Sequence, residues 1–293
     1  METDRCGKPA GWRKMIRIGF IGTGNMGGAL ALAASRADEA YKIMLANRGI
    51  KKAEELKDRI ENDSLKNPDT EVTVSDNDSI AAEADVIFLG VKPQMMEEML
   101  KGISGALKER AAAADSPVLV TMAAGLSMNR IKELAGGDYP IIRIMPNTPA
   151  SIGEGVILYA ADSGLKPEIK EAFLKMLSKA GLLCSMPEKL IDAGSAVSGC
   201  GPAFVYMFIE ALADGGVLCG LPRADAVKLA AQMVKGSADM VLETGEHPGE
   251  LKDAVCSPGG TTIEGVRTLE ECGMRGAVMD AVIAAFEKNS SLK

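Results

Sequence analysis

The chain has 293 residues, 47% hydrophobic and 25% charged, with a net charge of −7. That is a globular balance long enough for about two domains, and the negative charge argues against a broad nucleic-acid surface, which needs clustered Lys and Arg. With a single histidine (His247) and six scattered cysteines without a CxxC pair, the chain has no material for a Ser-His-Asp triad or a multi-ligand metal site, so no metal is expected.

Residues 1–14, METDRCGKPAGWRK, lack the apolar run of a signal peptide and read as a flexible N-terminal tail. From Met15 onward, short apolar runs alternate with helical patterns: strands at MIRIGFIG, YKIMLANR, TEVTVSD, DVIFLGVK, PVLVTMAAG, PIIRIMP and GVILYAA, and helices between them. Such alternation implies right-handed crossovers and a Rossmann-type, doubly wound parallel α/β sheet over residues 15–187. After Pro187 the strands stop. AFVYMFIEALADGGVLCGL is apolar on nearly all sides, RADAVKLAAQMVKGSADMVLETG carries a helical apolar stripe, and GAVMDAVIAAFEKN closes the chain as a helix. Residues 188–293 therefore read as an all-helical domain whose excess apolar surface is buried against a second copy. The longest uncharged stretch, Ala193 to Ile209, is broken by Gly, Pro and Ser and does not read as a membrane span. The expectation is a soluble, cytoplasmic protein with reduced thiols.

IGFIGTGNMGGAL places G-x-G-x-x-G at Gly22, Gly24 and Gly27, between a strand and a helix. Gly22 makes the tight turn, Gly24 lets a pyrophosphate reach backbone N–H groups, and Gly27 lets helix and strand approach, so a dinucleotide is expected there. The second strand ends in Asn47-Arg48, with no carboxylate until Glu54. A carboxylate there would accept from the ribose of NAD, whereas Arg48 offers a planar fork of donors to a 2′-phosphate. NADPH is the expected cofactor, with NADH less preferred. Lys92 leaves the fourth strand at the carboxyl edge where α/β sheets bind ligands. His247, in GEHPGE, reads as a loop histidine. In SPGGTTIEGV a Pro-Gly-Gly corner precedes Thr261 and Thr262 and an apolar helical stripe, a pattern that serves either as a helix cap or as an anion seat.

Together IGFIGTGNMGGAL, FLGVKPQ, RIMPNTPASIGEGV, AVSGCGPAFVYMFIEALADGGVLCGLPR and HPGELKDAVCSPGGTTIEGVRTLE resemble the pyrroline-5-carboxylate reductase family, from about Met15 to Asn289. The resemblance implies NADPH-dependent reduction of 1-pyrroline-5-carboxylate to proline, with a dimer as minimum unit and a decamer as a common assembly. It implies cofactor contacts at Gly22, Thr23, Gly24, Asn25, Met26, Gly27, Asn47, Arg48 and Asn77. Further contacts are implied at Val91, Lys92, Pro93, Met122, Ala123 and Ala124. The substrate carboxylate would rest on the N–H groups of Gly260, Thr261 and Thr262, with Ser257 and Gly259 shaping the loop. Thr262 would hydrogen-bond the ring nitrogen and Glu246 would lie beside the substrate. Two rivals stand: a β-hydroxyacid dehydrogenase-type enzyme, disfavoured because the helix starting near SGCGPAFVYMFIEALADGG holds no lysine, and a non-enzymatic dinucleotide-binding regulator.

Overall fold

The structure is a computed structural model in which residues 15–291 are described; the expected N-terminal tail lies outside them. The chain divides into two compact units, the first running to Gly199 and the second spanning Cys200–Ala285.

The first unit is built on an eight-stranded sheet. Its elements in order are β1 (Ile16–Ile21), α1 (Asn25–Ser35), β2 (Tyr41–Ala46), α2 (Ile50–Glu61), β3 (Glu71–Val74), α3 (Asn77–Glu83), β4 (Val86–Leu89), α4 (Met96–Ala112) and β5 (Val118–Thr121). There follow α5 (Met128–Ala135), β6 (Ile141–Met145), β7 (Gly155–Ala161), α6 (Pro167–Met176), β8 (Gly181–Ser185) and α7 (Ile191–Ser198). The strand order is β3-β2-β1-β4-β5-β6-β7-β8. Order therefore reverses between β1 and β4, which makes the crevice at their carboxyl ends the natural ligand site of such a sheet.

Strand alternation explains the two cores. Ile16, Ile18 and Phe20 point to the face covered by α1, α2 and α6, where Phe20 stacks on Phe88 with ring centroids 4.6 Å apart. Ile21, Ile87 and Leu89 point to the opposite face, covered by α3, α4 and α5. Gly19 lies on that second face, and a Cβ there would sit 2.2 Å from Ile80 of α3, so the helix rests directly on the strand.

Two details depart from the sequence reading. β7 pairs antiparallel with β6, because the connection between them is a short 3-10 turn at Thr148–Ile152 and has no crossover helix, which a parallel pair needs. Asn147 fixes that connection: its Oδ1 accepts from Val156 N at 2.8 Å and its Nδ2 donates to Ser198 O at 2.9 Å. Beyond α6 the chain adds β8, parallel to β7, a strand that the sequence reading did not include. Gly155 and Gly181 face each other there, and a Cβ on Gly181 would lie 2.0 Å from Gly155 O.

The expected domain boundary at residue 187 falls before α7. Ile191 of α7 packs with Met145, Leu158 and Ala160, while the buried Arg143 of β6 bonds Asp192 at 2.7 Å and reaches Glu188 at 3.5 Å.

The second unit contains α8 (Gly201–Leu218), α9 (Arg223–Thr244), α10 (Pro248–Ala254), α11 (Thr261–Glu271) and most of α12 (Met274–Ser290). α8 and α9 meet through small residues, with Ala213, Ala226 and Ala230 buried and Gly216 close to Ala226. Many large apolar side chains stay outside, among them Tyr206, Met207, Leu229 and Met240, with Leu218 at 89% and Leu242 at 76% exposure. The stretch Glu188–Leu218 is long and apolar enough by composition to cross a membrane, with mean hydropathy 1.4. The interruptions that weighed against a span fall where α7 ends at Ser198 and α8 begins at Gly201, with Pro202 in the first turn of α8, where proline's missing N–H costs nothing.

Candidate functional site

In the first unit, β1 runs into α1 through a corner of glycines with different duties. Gly22 has φ +98°, and a Cβ on it would press on the Gly90 backbone at 2.7 Å. A Cβ on Gly27 would lie 2.2 Å from Gly22 O, and one on Gly90 2.4 Å from the same oxygen. These three are demanded by packing. Gly24 is not: its backbone is extended, at φ −70°, and a Cβ there would meet nothing within 4 Å. The absent side chain leaves the backbone there open. Gly24 is also the N-cap of α1 and leaves that eleven-residue helix without a side-chain cap, so its first N–H groups face outward as an anion site. The corner fits a dinucleotide pyrophosphate.

Gly22, Gly24, Asn47, Arg48, Asn77, Val91 and Lys92 line one groove at the carboxyl edge of the sheet. Arg48 is exposed and its Nη2 lies 3.9 Å from Met95 Sδ, while Asn47 Nδ2 donates to Gly49 O at 3.2 Å. Asn77 opens α3, capped by Asp76, which accepts from Ser79 N at 2.8 Å; that bond holds the Asp76 carboxyl below its usual range. Lys52 lines the same groove and joins Arg48 as a second cation. Of the other expected cofactor contacts, Asn25 is exposed, Met26 half-buried, and Thr23 turns inward with a buried hydroxyl that has no partner among the described residues. Pro93 starts the short turn before α4. Met122, Ala123 and Ala124 follow β5, with Ala123 buried. The sequence reading gave no place in this groove to Gly90, to Met95 at the N-cap of α4, or to Glu98 and Met99 within it; the helical spacing of those three was the available signal.

The second unit holds the other expected cluster. α9 ends at Gly245, left-handed at φ +68°. Thr244 Oγ1 donates to Met240 O at 2.7 Å and accepts from Glu246 N at 3.1 Å, so the backbone of Glu246 is held while its carboxylate makes no bond among the described residues. His247 caps α10, its Nδ1 accepting from Gly249 N at 3.0 Å. The corner ahead of α11 needs Gly259, at φ +67°, and is closed by Gly260 N donating to Ser257 O at 3.0 Å. Of the amides expected to meet the carboxylate, Gly260 is thus engaged within the turn. Thr261, Thr262 and Ile263 are the first three amides of α11, which has no side-chain cap. Glu264, the acid of the first turn, is drawn to Arg267 at 2.6 Å. Among the described residues no group of His, Cys, Asp and Glu is arranged to hold a metal.

Two family models match this chain: pyrroline-5-carboxylate reductase dimerisation over residues 188–292, and NADP oxidoreductase, coenzyme F420-dependent, over residues 17–125. The pyrroline-5-carboxylate reductase of Escherichia coli K12 is 42% identical over 278 residues, covering 94% of this chain and 98% of its own. That of Corynebacterium melassecola is 38% identical, covering 95% and 99%. Among solved structures, Plasmodium falciparum pyrroline carboxylate reductase with NADP bound matches with a TM-score of 0.79 at 32% identity, over 96% of this chain and 99% of its own.

Proposed function

The chain belongs to the pyrroline-5-carboxylate reductase family, and from that premise we propose how its residues reduce 1-pyrroline-5-carboxylate to proline with NADPH. The observation that carries the substrate half is the bare amino end of α11. Three unpaired amides and the positive end of the helix dipole favour a carboxylate there. When bound, the reduced nicotinamide supplies a hydride. The chain's task is to hold the imine carbon at a near-attack distance from it, which lowers the barrier by pre-arranging the reactants.

Thr261, Thr262 and Ile263 N–H groups receive the substrate carboxylate, while the Thr262 hydroxyl stands beside the ring nitrogen. The nitrogen takes a proton and the carbon a hydride, so the C=N double bond becomes a single bond and positive charge on the ring is discharged. Glu246, whose carboxylate makes no bond among the described residues, stabilises that positive charge before transfer. A protonated cyclic imine is already electrophilic, so the scarcity of histidine is no handicap. The Gly24 corner seats the pyrophosphate, and Arg48 and Lys52 suit a 2′-phosphate, in line with NADPH.

The apolar helices of the second unit assemble with further copies of the chain, the reading supported by the dimerisation model; a decamer, a cytoplasmic location and the absence of any membrane role belong to the same proposal. The test follows the reduced nicotinamide absorbance in two assays, its loss when NADPH meets pyrroline-5-carboxylate and its gain when NADP+ meets 3-hydroxy acids. Turnover of the imine alone supports the reading, and turnover of the hydroxy acids alone overturns it.

A further inference from the structure

We propose that Glu98 reads the adenine of the cofactor: its carboxylate accepts from the exocyclic amino group, and Met95 and Met99 pack on the base. The inference rests on the NADPH reading above and concerns the far end of the same groove.

Met95, Glu98, Met99 and Gly102 recur at helical spacing along the start of α4 and all line the groove shared with Gly24 and Arg48. The contact of Arg48 Nη2 with Met95 Sδ at 3.9 Å brings the end of β2 and the start of α4 to opposite walls of one cleft. A Cβ on Gly102 would meet nothing within 4 Å, so the cleft stays open two turns along α4. A flat base fits such a cleft, with polarizable thioethers of two half-buried methionines against it.

Glu98 is the anomaly of this surface. The groove holds the cations Arg48, Lys52 and Lys92, which suit an anionic ligand, and a carboxylate among them weakens phosphate binding. It is exposed, and among the described residues it makes no hydrogen bond or ion pair, whereas the adjacent Glu97 is held by Lys101 at 2.7 Å. Its place in the first turn of α4 suits an acid, and because a carboxylate only accepts, what it offers to the groove is a partner for a ligand donor. With the 2′-phosphate at Arg48 and Lys52, the adenosine keeps two donors, the ribose 3′-hydroxyl and the amino nitrogen of the base, and Met95 and Met99 beside Glu98 favour the base. The carboxylate thereby selects adenine against bases that present a carbonyl at that position.

Binding of NADPH and of its hypoxanthine analogue, in which a carbonyl replaces the amino group, separates these possibilities. The full chain is titrated with each while reduced-nicotinamide fluorescence is followed, for wild type, Glu98→Ala and Glu98→Gln. Wild type is expected to bind NADPH about 10-fold tighter than the analogue, the scale of one hydrogen bond to a charged group. Glu98→Ala should bring that ratio close to one, chiefly by weakening NADPH, and Glu98→Gln should narrow it as well, since an amide both donates and accepts. Discrimination that survives in Glu98→Ala overturns the proposal. So does an equal loss for both ligands, which would move the contact to the shared ribose, or an equal gain, which would leave only repulsion. A wild-type chain that binds neither dinucleotide sinks the cofactor reading itself.

Discussion

The Gly260 amide donates to the Ser257 carbonyl at 3.0 Å, and this single bond decides which backbone groups ahead of α11 are left for a ligand. It removes Gly260 from the seat and aims the next three amides outward. It also brings the two residues so close that a Cβ on Gly260 would stand 2.3 Å from Ser257 Oγ. Gly260→Ala therefore has to displace Ser257 or open the turn. Steady-state kinetics should show KM for the imine rising about 10-fold, the cost of roughly 1.4 kcal/mol in a lost charge-assisted contact. NADPH affinity should not change. An unaltered KM would show that the turn does not shape the seat.

Thr261 and Thr262 offer amides of the same kind but different hydroxyl duties. Thr262→Ala should lower kcat by about 10- to 100-fold, the range for one hydrogen-bonding group at the reacting atom. Thr261→Ala keeps its amide and should change kcat far less. Equal effects in single-turnover measurements would remove the Thr262 hydroxyl from the mechanism.

Arg48 stands at the end of β2 where an NAD site would carry an acid. Arg48→Ala should raise KM for NADPH by about 10-fold or more, as expected for a hydrogen bond between charged partners, and leave KM for NADH nearly unchanged. A parallel rise for both would mean that Arg48 supports the groove without reading the phosphate.

Arg36 at the end of α1 bonds Asp63 beyond α2, Nε to Oδ2 at 2.5 Å, with both side chains largely buried. The Arg36 hydrogen bond, followed by that from Leu65 N, holds the Asp63 carboxyl below its usual range. A carboxyl lowered in the native state stabilises it above the unfolded value, near pH 4, and loses that contribution as pH falls through the native value. Asp63→Asn should thus cost about 1 kcal/mol at pH 7, and the gap to wild type should close in acid. Urea titrations at pH 7 and pH 3 check this; a gap independent of pH would deny the pair its role.

The parts legible in the sequence are those whose cause is local. The β1-α1 corner is written in Gly22 and Gly27, whose spacing alone states the turn, and the change from alternating strands to unbroken helices after Pro187 is visible as a change of period. What stayed hidden depends on segments brought together from afar. Gly90 looks like any strand-end glycine until Gly22 O is found against it. β8 follows α6 with only Gly181 to mark the change, and its face-to-face meeting with Gly155 cannot be read from either residue alone. Nothing in RIMPNTPASIGEGV marks Asn147 as the residue whose amide joins Val156 to Ser198. The PGGTT corner was legible as a helix start, but not that Ser257 would claim the Gly260 amide.

The central claim is that backbone amides of α11 hold the acid group of the substrate. The most direct measurement is a crystal structure of the chain with proline and NADP bound. The account predicts the proline carboxylate oxygens at hydrogen-bond distance, about 2.7–3.2 Å, from the amides of Thr261, Thr262 and Ile263, with the Thr262 hydroxyl on the ring nitrogen. A proline carboxylate bound by side chains elsewhere, with those three amides left to water, would contradict it.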